Sequence, residues 1–398
     1  MRHSGDTGQE RLLASLPDLA VDDLDAVVAG VLAGLPWADS ASVLLADYSE
    51  TVLIPLTRDA RRYRDAEVPV EGSMAGLSFT RQEPVADSDG RGVWVPLTNR
   101  WRRLGAVHVV GHDVLDEEQV ARAQHAVGLL AMIIDGASRA TDAFARARRL
   151  APLSLTAEMQ WELLPQLCIA TSGVTIAGRL EPAYEVGGDS FDYAINGRRA
   201  YFAIFDPLGH DLRSALLSTL AVGAYRNARR EGTPLAGIGP VLDQVVRGAF
   251  PDCFVTGLLC ELDMDSGALS VVNAGHEPPL ILRDGHVRQL SMTPARPWGM
   301  YHEDGTSGPP VVAERLQPGD RIVLFTDGVT EARGDRGVPF GIKGLSDHLI
   351  RESAAPHVAV ELLRRVLDAA TSKARPHDDA TVVLAEWRGP AAVPTLGG

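Results

Sequence analysis

Residues 321–328 read RIVLFTDG, a short apolar run that stops at Asp327 beside a glycine. Residues 201–206 read YFAIFD and repeat the arrangement, with Asp206 as the terminal acid. Apolar runs of this length, bounded by Gly or Asp, are typical of buried strands. Neighbouring runs are often separated only by a short turn, as at residues 263–267. Because short turns favour antiparallel pairing, the sequence predicts sheets covered by helices, an α+β class.

Four acids of the C-terminal half lie where an apolar run meets a loop: Asp189, Asp206, Asp327 and Asp378. Strand ends are rigid, and the loops beyond them are open to ligands. If the four carboxylates converge, they cannot all stay ionised without a cation, and the natural cation is Mg²⁺ or Mn²⁺. Two such ions about 4 Å apart bind phosphate and lower the pKa of a bridging water. The alternative is that each acid is an ordinary turn residue bonded to its own backbone, and spacing alone leaves both open.

Composition narrows the classes of protein that this chain can belong to. Its 398 residues include 52 acidic and 38 basic side chains, and the net charge of −14 disfavours binding to nucleic acid or to an anionic membrane. The three cysteines lack the spacing of a disulfide framework or of a cysteine zinc site. The first residues lack the apolar core of a signal peptide, and no apolar run reaches the roughly 20 residues that span a bilayer. We therefore expect a cytoplasmic protein.

The pattern along the chain predicts two domains joined by helices. The expected segments are a flexible N-terminus (1–20), an α/β domain (21–140), a helical linker that overlaps its end (115–164), an α+β domain (165–388) and a flexible tail (389–398). A long helix is expected from residue 115 toward Pro152, with a capping box formed by Asp116 and Gln119. Its heptad seam is compatible with packing on its own domain or with pairing to a second copy as a homodimer. The seam consists of Val120, Val127, Ile134 and Thr141, interleaved with Ala123, Leu130, Ala137 and Phe144.

Five short motifs of the C-terminal half resemble those of SpoIIE-type serine/threonine phosphatases, bacterial members of the metal-dependent PPM superfamily. They read GGDSFD (187–192), FDPLGH (205–210), VNAGHEPPL (272–280), FTDGVTEA (325–332) and HDDAT (377–381). An LLP element at residues 163–165 resembles the one that commonly precedes the family's catalytic domain. The motifs occur in the family's order, and the resemblance covers residues 165–387.

The resemblance implies a β-sandwich of two antiparallel sheets flanked by helices, with two Mn²⁺ or Mg²⁺ ions at one edge. Matched by motif, the catalytic metal ligands are Asp189, Asp206, Asp327 and Asp378, together with the backbone carbonyl of Pro207. Asp192 and Asp379 match supporting acids, and His276 matches a residue that shapes a turn. His210 is a weaker candidate for the site, and Arg179 is expected on the surface rather than at the phosphate. The family's usual substrates are phosphorylated anti-anti-sigma proteins with a STAS domain.

One position departs from the family pattern. The loop usually reads G-H-G or G-N-G, and here it reads Gly209-His210-Asp211. If residue 211 needs a positive φ, an aspartate there is tolerated at some cost. Alternatively, Asp211 caps a helix that starts at Leu212. The departure also raises a second hypothesis, a pseudo-phosphatase scaffold that binds a phosphoprotein without turnover.

The N-terminal half resembles a GAF sensor domain. The resemblance is carried by VPVEGSMAG (68–76), QEPV (82–85) and WVPL (94–97) followed by LGAV (104–107). No His or Cys there has the spacing that haem or bilin attachment requires, so no ligand is assigned.

The whole chain is thus predicted to be a phosphatase of phosphoserine or phosphothreonine that is regulated by a sensor domain. A two-metal nuclease is disfavoured by the charge of −14 and by the motif order.

Overall fold

The computed structural model describes residues 29, 34–56, 67–185, 187–293, 295–300, 308–333, 338–354, 358–371 and 378–390. The chain separates into two compact units, residues 1–152 and 153–398. The predicted flexible N-terminus and residues 391–398 of the predicted tail lie outside the described residues. None of the helices in the described part has the length and apolarity needed to cross a membrane.

The N-terminal unit contains one six-stranded antiparallel sheet with the order β3-β2-β1-β6-β5-β4. Its strands are β1 (Ala38–Ala46), β2 (Val52–Pro55), β3 (Val68–Pro69), β4 (Val85–Ala86), β5 (Gly92–Asn99) and β6 (Arg102–Gly111). Helix α1 (Met74–Arg81) packs on one face and helix α2 (Glu117–Ala137) on the other, as expected when successive strand residues point to opposite faces. The GAF-like assignment of this unit stays a prediction.

The long linker helix expected from the sequence is interrupted. Helix α2 begins at the predicted capping box of Asp116 and Gln119 but ends at Ala137, and a short helix α3 (Ala143–Ala147) follows. The expectation of one continuous helix toward Pro152 was therefore wrong. The physical reason is local, since the Thr141 hydroxyl accepts a hydrogen bond from the Ala143 amide at 3.2 Å and so replaces a helical partner.

The heptad seam of α2 packs inside its own unit. Val127, Leu130 and Ile134 are at most 1% exposed and belong to the same apolar cluster as Val43 and Val107 of the sheet. This arrangement favours the first of the two alternatives, packing on the helix's own domain. A homodimer that uses these side chains would have to remove them from that core.

The C-terminal unit contains two antiparallel sheets, with the orders β15-β12-β11-β10-β9 and β14-β13-β16-β17-β8-β7. The strands are β7 (Cys168–Ala170), β8 (Val174–Glu181), β9 (Ser190–Asn196), β10 (Arg199–Pro207), β11 (Val255–Asp263), β12 (Ala268–Ala274), β13 (Leu280–Arg283), β14 (His286–Gln289), β15 (Val311–Arg315), β16 (Arg321–Phe325) and β17 (Ala380–Trp387). Side chains of both sheets, including Ile176, Phe202 and Leu324, form one buried cluster between them. The unit is therefore a β-sandwich.

Helices cover both outer faces of this sandwich. Helices α5 (Leu212–Arg230) and α6 (Leu235–Ala249) pack on the five-stranded sheet. Helices α7 (Asp327–Glu331), α8 (Gly341–Ser353) and α9 (Ala359–Thr371) pack on the six-stranded sheet. Helix α4 (Leu155–Leu163) is capped by Ser154 and ends just before Leu164, which is extended as expected for a residue that precedes proline. The α+β class predicted from the sequence is confirmed for this unit.

Candidate metal centre

Strand pairing brings the four motif acids to one edge of the sandwich. Asp189 immediately precedes β9, and Asp206 lies near the end of β10, where Phe205 pairs with Ser190. In the opposite sheet, Asp327 follows β16, and Asp378 lies two residues before β17. Strands β16 and β17 pair with each other, with Phe325 opposite Val382. Each sheet therefore supplies two acids at the same edge.

The charges of these acids act on one another. Burial, together with the neighbouring carboxylates of Asp327 and Asp378, raises the pKa of Asp206 to about 7. Burial, followed by the charge of Asp206, raises the pKa of Asp189 well above its usual range. Burial, followed by the charge of Asp378, raises the pKa of Asp327. The structure thus brings together the four acids that the sequence singled out.

The four carboxylates differ in how far they are exposed to solvent. Asp189 is buried and Asp206 is half-buried, whereas Asp327 and Asp378 are exposed. The largest charge effects on Asp206 come only from other acids, so the cluster has an excess of negative charge that a cation would balance. Carboxylate oxygens are the donors that Mg²⁺ and Mn²⁺ prefer. The donor set therefore fits a hard divalent ion.

The described residues do not contain a group of three or more His, Cys, Asp or Glu side chains arranged to hold one ion. Mg²⁺ usually keeps several waters and takes only one or two carboxylates from a protein. The arrangement fits ions that are each held by few side chains and completed by water or phosphate. The assignment of individual ligands stays a prediction.

Two threonines that the sequence analysis did not consider hold the innermost acid. The hydroxyls of Thr326 and Thr381 each donate a hydrogen bond of 2.7 Å to Asp189 Oδ2. Both threonines are fully buried. Their only signal in the sequence is their position, since Thr326 precedes Asp327 and Thr381 closes the HDDAT motif.

Asp379 organises the loop that carries Asp189. Its carboxylate accepts hydrogen bonds from the backbone amides of Gly187, Gly188 and Asp189, at 2.6 to 3.1 Å. The two glycines are required by space, because a Cβ on Gly188 would lie 2.8 Å from Pro207 Cγ. Asp379 therefore acts as a support for the loop, as its motif position predicts.

His276 connects strand ends from both sheets. Its Nε2 lies 3.0 Å from the carbonyl oxygen of Phe325, which only accepts, so Nε2 must carry the hydrogen. Nδ1 then accepts from the Thr256 hydroxyl at 3.0 Å. Burial lowers the pKa of His276 to about 4, so the ring is neutral near pH 7. These contacts give His276 a structural role rather than one in proton transfer.

The structure also locates three other residues weighed in the sequence analysis. Arg179 is buried, not on the surface as expected, because its strand β8 lies between β17 and β7 and is covered by helix α9, and it pairs with Glu181 at 3.1 Å. Asp192 forms ion pairs with Arg226 and Arg229 of α5 at 2.7 and 2.8 Å. The third, His210, is exposed.

The departure at residue 211 has a structural explanation. Asp211 has an extended backbone with a φ of −110° and caps α5, where its carboxylate accepts from the amides of Arg213 and Ser214. The positive φ of this loop, +88°, falls on Gly209 instead. The aspartate is therefore free of the backbone strain that a left-handed position would impose.

The chain is similar to known proteins over its C-terminal unit. Residues 196–388, just under half of the chain, match the family model of Stage II sporulation protein E (SpoIIE). The chain is 23% identical over 245 residues to phosphoserine phosphatase RsbU of Bacillus subtilis, covering 58% of this chain and 69% of RsbU. It is 26% identical over 130 residues to protein IcfG of Synechocystis, covering 33% of this chain and only 20% of IcfG.

Among solved structures, the chain is similar to one that contains the RsbU and RsbW domains of Rv1364c from Mycobacterium tuberculosis. The identity is 26% and the TM-score is 0.49, with 55% of this chain and 61% of that chain covered. The family match includes Asp206, Asp327 and Asp378, while Asp189 lies seven residues before it. Within its C-terminal unit, the chain is thus similar over residues 196–388 to the SpoIIE family of PPM-type serine/threonine phosphatases.

Proposed function

We propose that this protein is a metal-dependent serine/threonine phosphatase that hydrolyses phosphoserine or phosphothreonine in a partner protein. The observation that carries the proposal is the meeting of four carboxylates, two from each sheet, at one edge of the sandwich. A structural role for these acids would call for basic partners, as Asp192 has in Arg226 and Arg229. Instead, burial, followed by the charges of neighbouring acids, raises the pKa values of Asp189, Asp206 and Asp327.

Asp189, Asp206, Asp327 and Asp378, with the backbone carbonyl of Pro207, are the residues proposed to hold the metal. A pair of Mn²⁺ or Mg²⁺ ions, when bound, supplies a water of lowered pKa and positive charge that stabilises a phosphoryl group. With such a water, hydrolysis needs no serine or cysteine nucleophile.

The residues around the acids prepare the site. The hydroxyls of Thr326 and Thr381 donate to Oδ2 of Asp189 and so orient its carboxylate. The Asp379 carboxylate accepts from backbone amides of the loop that contains Asp189 and so fixes that loop. Neutral His276 holds the carbonyl of Phe325, two residues before Asp327. Preorganised ligands of this kind reduce the cost of gathering charges when a cation binds.

The proposed substrate is a phosphorylated anti-anti-sigma protein of the STAS type. The support is the family resemblance together with the similarity to RsbU, which is named a phosphoserine phosphatase. We further propose a cytoplasmic location and regulation by the N-terminal unit as a GAF-like sensor domain, acting through the helices of residues 115–164. The net charge of −14 favours a protein substrate over a nucleic acid.

The test uses Asp206→Asn and Asp327→Asn in the full chain. Both variants should fold and lose Mn²⁺-dependent hydrolysis of p-nitrophenyl phosphate and of a phosphorylated STAS protein, because each loses a charge that the cation needs. Asp252→Asn, which changes an exposed acid of the same unit, is the matched control and should retain activity. Undiminished turnover in both site variants would defeat the proposal.

The scaffold hypothesis rested on Asp211, and the structure removes that reason. Asp211 caps α5 without a positive φ, so it imposes no backbone strain on the loop that follows Asp206. Calorimetric metal titration followed by a turnover assay separates the two functions. A scaffold would bind the phosphoprotein and release no phosphate.

A further inference from the structure

Helix α4 is bonded to the loop that leads to Asp189. Trp161 Nε1 donates to the carbonyl of Ala183 at 2.8 Å, and the Ser154 amide donates to that of Tyr184 at 3.1 Å. Gln160 Nε2 donates to the carbonyl of Gly188 at 3.1 Å. The helix therefore contacts the loop at both its beginning and its end.

The bond from Gln160 acts on the peptide group that joins Gly188 to Asp189. The carbonyl of this planar group accepts from Gln160, and its N–H donates to Asp379 Oδ2 at 3.1 Å. A peptide plane held from both sides fixes the direction in which the next Cα projects its side chain. Gln160 and Asp379 thus fix the backbone from which Asp189 projects, while Thr326 and Thr381 hold its carboxylate.

The environment of Gln160 supports a specific role. The residue is only 1% exposed, and its Oε1 has no hydrogen-bond partner among the described residues. A buried amide oxygen without a partner is destabilising. If Gln160 only filled space, an apolar side chain of similar shape would give a more stable protein.

We propose that Gln160 is a positioning residue of the metal centre, and that it sets the affinity for divalent ions through the orientation of Asp189. The inference rests on the proposed function, because it assumes that Asp189 is a ligand. Helix α4 is also the first element of the C-terminal unit along the chain. A shift of this helix would be transmitted to Asp189 through the Gln160 bond.

The test measures Mn²⁺ binding to the full chain by calorimetry, in the absence of substrate. Gln160→Met keeps the shape and removes the donor, and Gln160→Glu replaces the donor with a second acceptor. Both should bind Mn²⁺ about tenfold more weakly, which equals about 1.4 kcal/mol and is the size of one hydrogen bond. Glu162→Gln, an exposed change on the same helix, should leave the affinity unchanged.

A second readout separates positioning from a general effect on folding. The Mn²⁺ concentration for half-maximal hydrolysis should rise about tenfold in the Gln160 variants, while kcat at saturating Mn²⁺ recovers to within about threefold of the wild type. If Gln160→Met does not fold, Gln160→Glu decides the question. A lower unfolding midpoint with unchanged Mn²⁺ affinity in the folded variant would overturn the inference.

The outcome for this inference is distinguishable from that for the proposed function. Wild-type protein that binds Mn²⁺, shows the Gln160 effect on binding and yet releases no phosphate would refute the phosphatase proposal alone. Active wild-type protein with the same Mn²⁺ affinity in all Gln160 variants would refute the positioning role alone.

Discussion

Asp189 has its orientation set by hydrogen bonds from residues far away in the chain. Thr326 and Thr381 bind its carboxylate, and Asp379 binds its backbone amide. Each of these three residues lies within three positions of Asp327 or Asp378. The residues that orient Asp189 are therefore neighbours in sequence of Asp327 and Asp378. A displacement of either of these strand ends would also move the hydrogen-bond partners of Asp189.

Thr381→Val should destabilise the protein by about 1–3 kcal/mol, because it removes a donor from a buried carboxylate without changing the volume of the side chain. Urea unfolding measures the change. Thr175→Val is the matched control, since Thr175 is a buried strand threonine whose hydroxyl has no hydrogen-bond partner among the described residues. Equal losses in the two variants would contradict the role given to Thr381.

The raised pKa of Asp206 leads us to predict that the stability of the metal-free protein depends on pH. This pKa is raised from 3.8 to about 7, so the folded state holds a proton that the unfolded state has released. The stabilisation is complete below pH 3.8 and is lost as the pH rises through about 7. Comparison of wild type with Asp206→Asn in urea unfolding isolates this effect, since the amide does not titrate. A wild-type advantage that grows between pH 4 and pH 7 would contradict it.

The site residues lie at the ends of strands and at the start of a helix. Some of these boundaries can be predicted from the sequence more easily than others. Helix α5 begins at Leu212 as its cap predicts, because Asp211 is bonded to amides two and three residues away. The break between α2 and α3 was not predicted, because the apolar pattern continues through it and one threonine hydroxyl turns the chain. When a local hydrogen bond from a side chain competes with a continuous apolar pattern, the sequence alone does not tell which of the two decides where the helix ends.

Asp211→Ala should lower stability, because two amides of the first turn of α5 lose their acceptor. Asp211→Asn keeps an acceptor oxygen and should remain close to the wild type. Asp211→Gly, which restores the usual family residue, should lower stability less than the alanine does. Unfolding midpoints provide the comparison, and a gain in stability with alanine would argue against the cap.

At the scale of the whole molecule, the sequence predicted the four acids and the sandwich but few of the contacts that support them. Asp206 and Asp327 can be singled out in the sequence because each follows an apolar run. The bonds that link His276 to Thr256 and Phe325 join strands far apart in the chain, and only the sheet order brings them together. Gln160 was missed for the same reason, because its partner lies 28 residues away.

The most direct test of the central claim is the number of Mn²⁺ ions bound per chain, measured by calorimetry and by metal analysis after gel filtration. We predict two ions for the wild type and for the exposed control Asp252→Asn, because the aspartates of both sheets share them. Asp206→Asn and Asp327→Asn should lose at least one ion or bind at least tenfold more weakly while remaining folded. Full Mn²⁺ binding with wild-type affinity in both variants would contradict a metal centre built from these four aspartates.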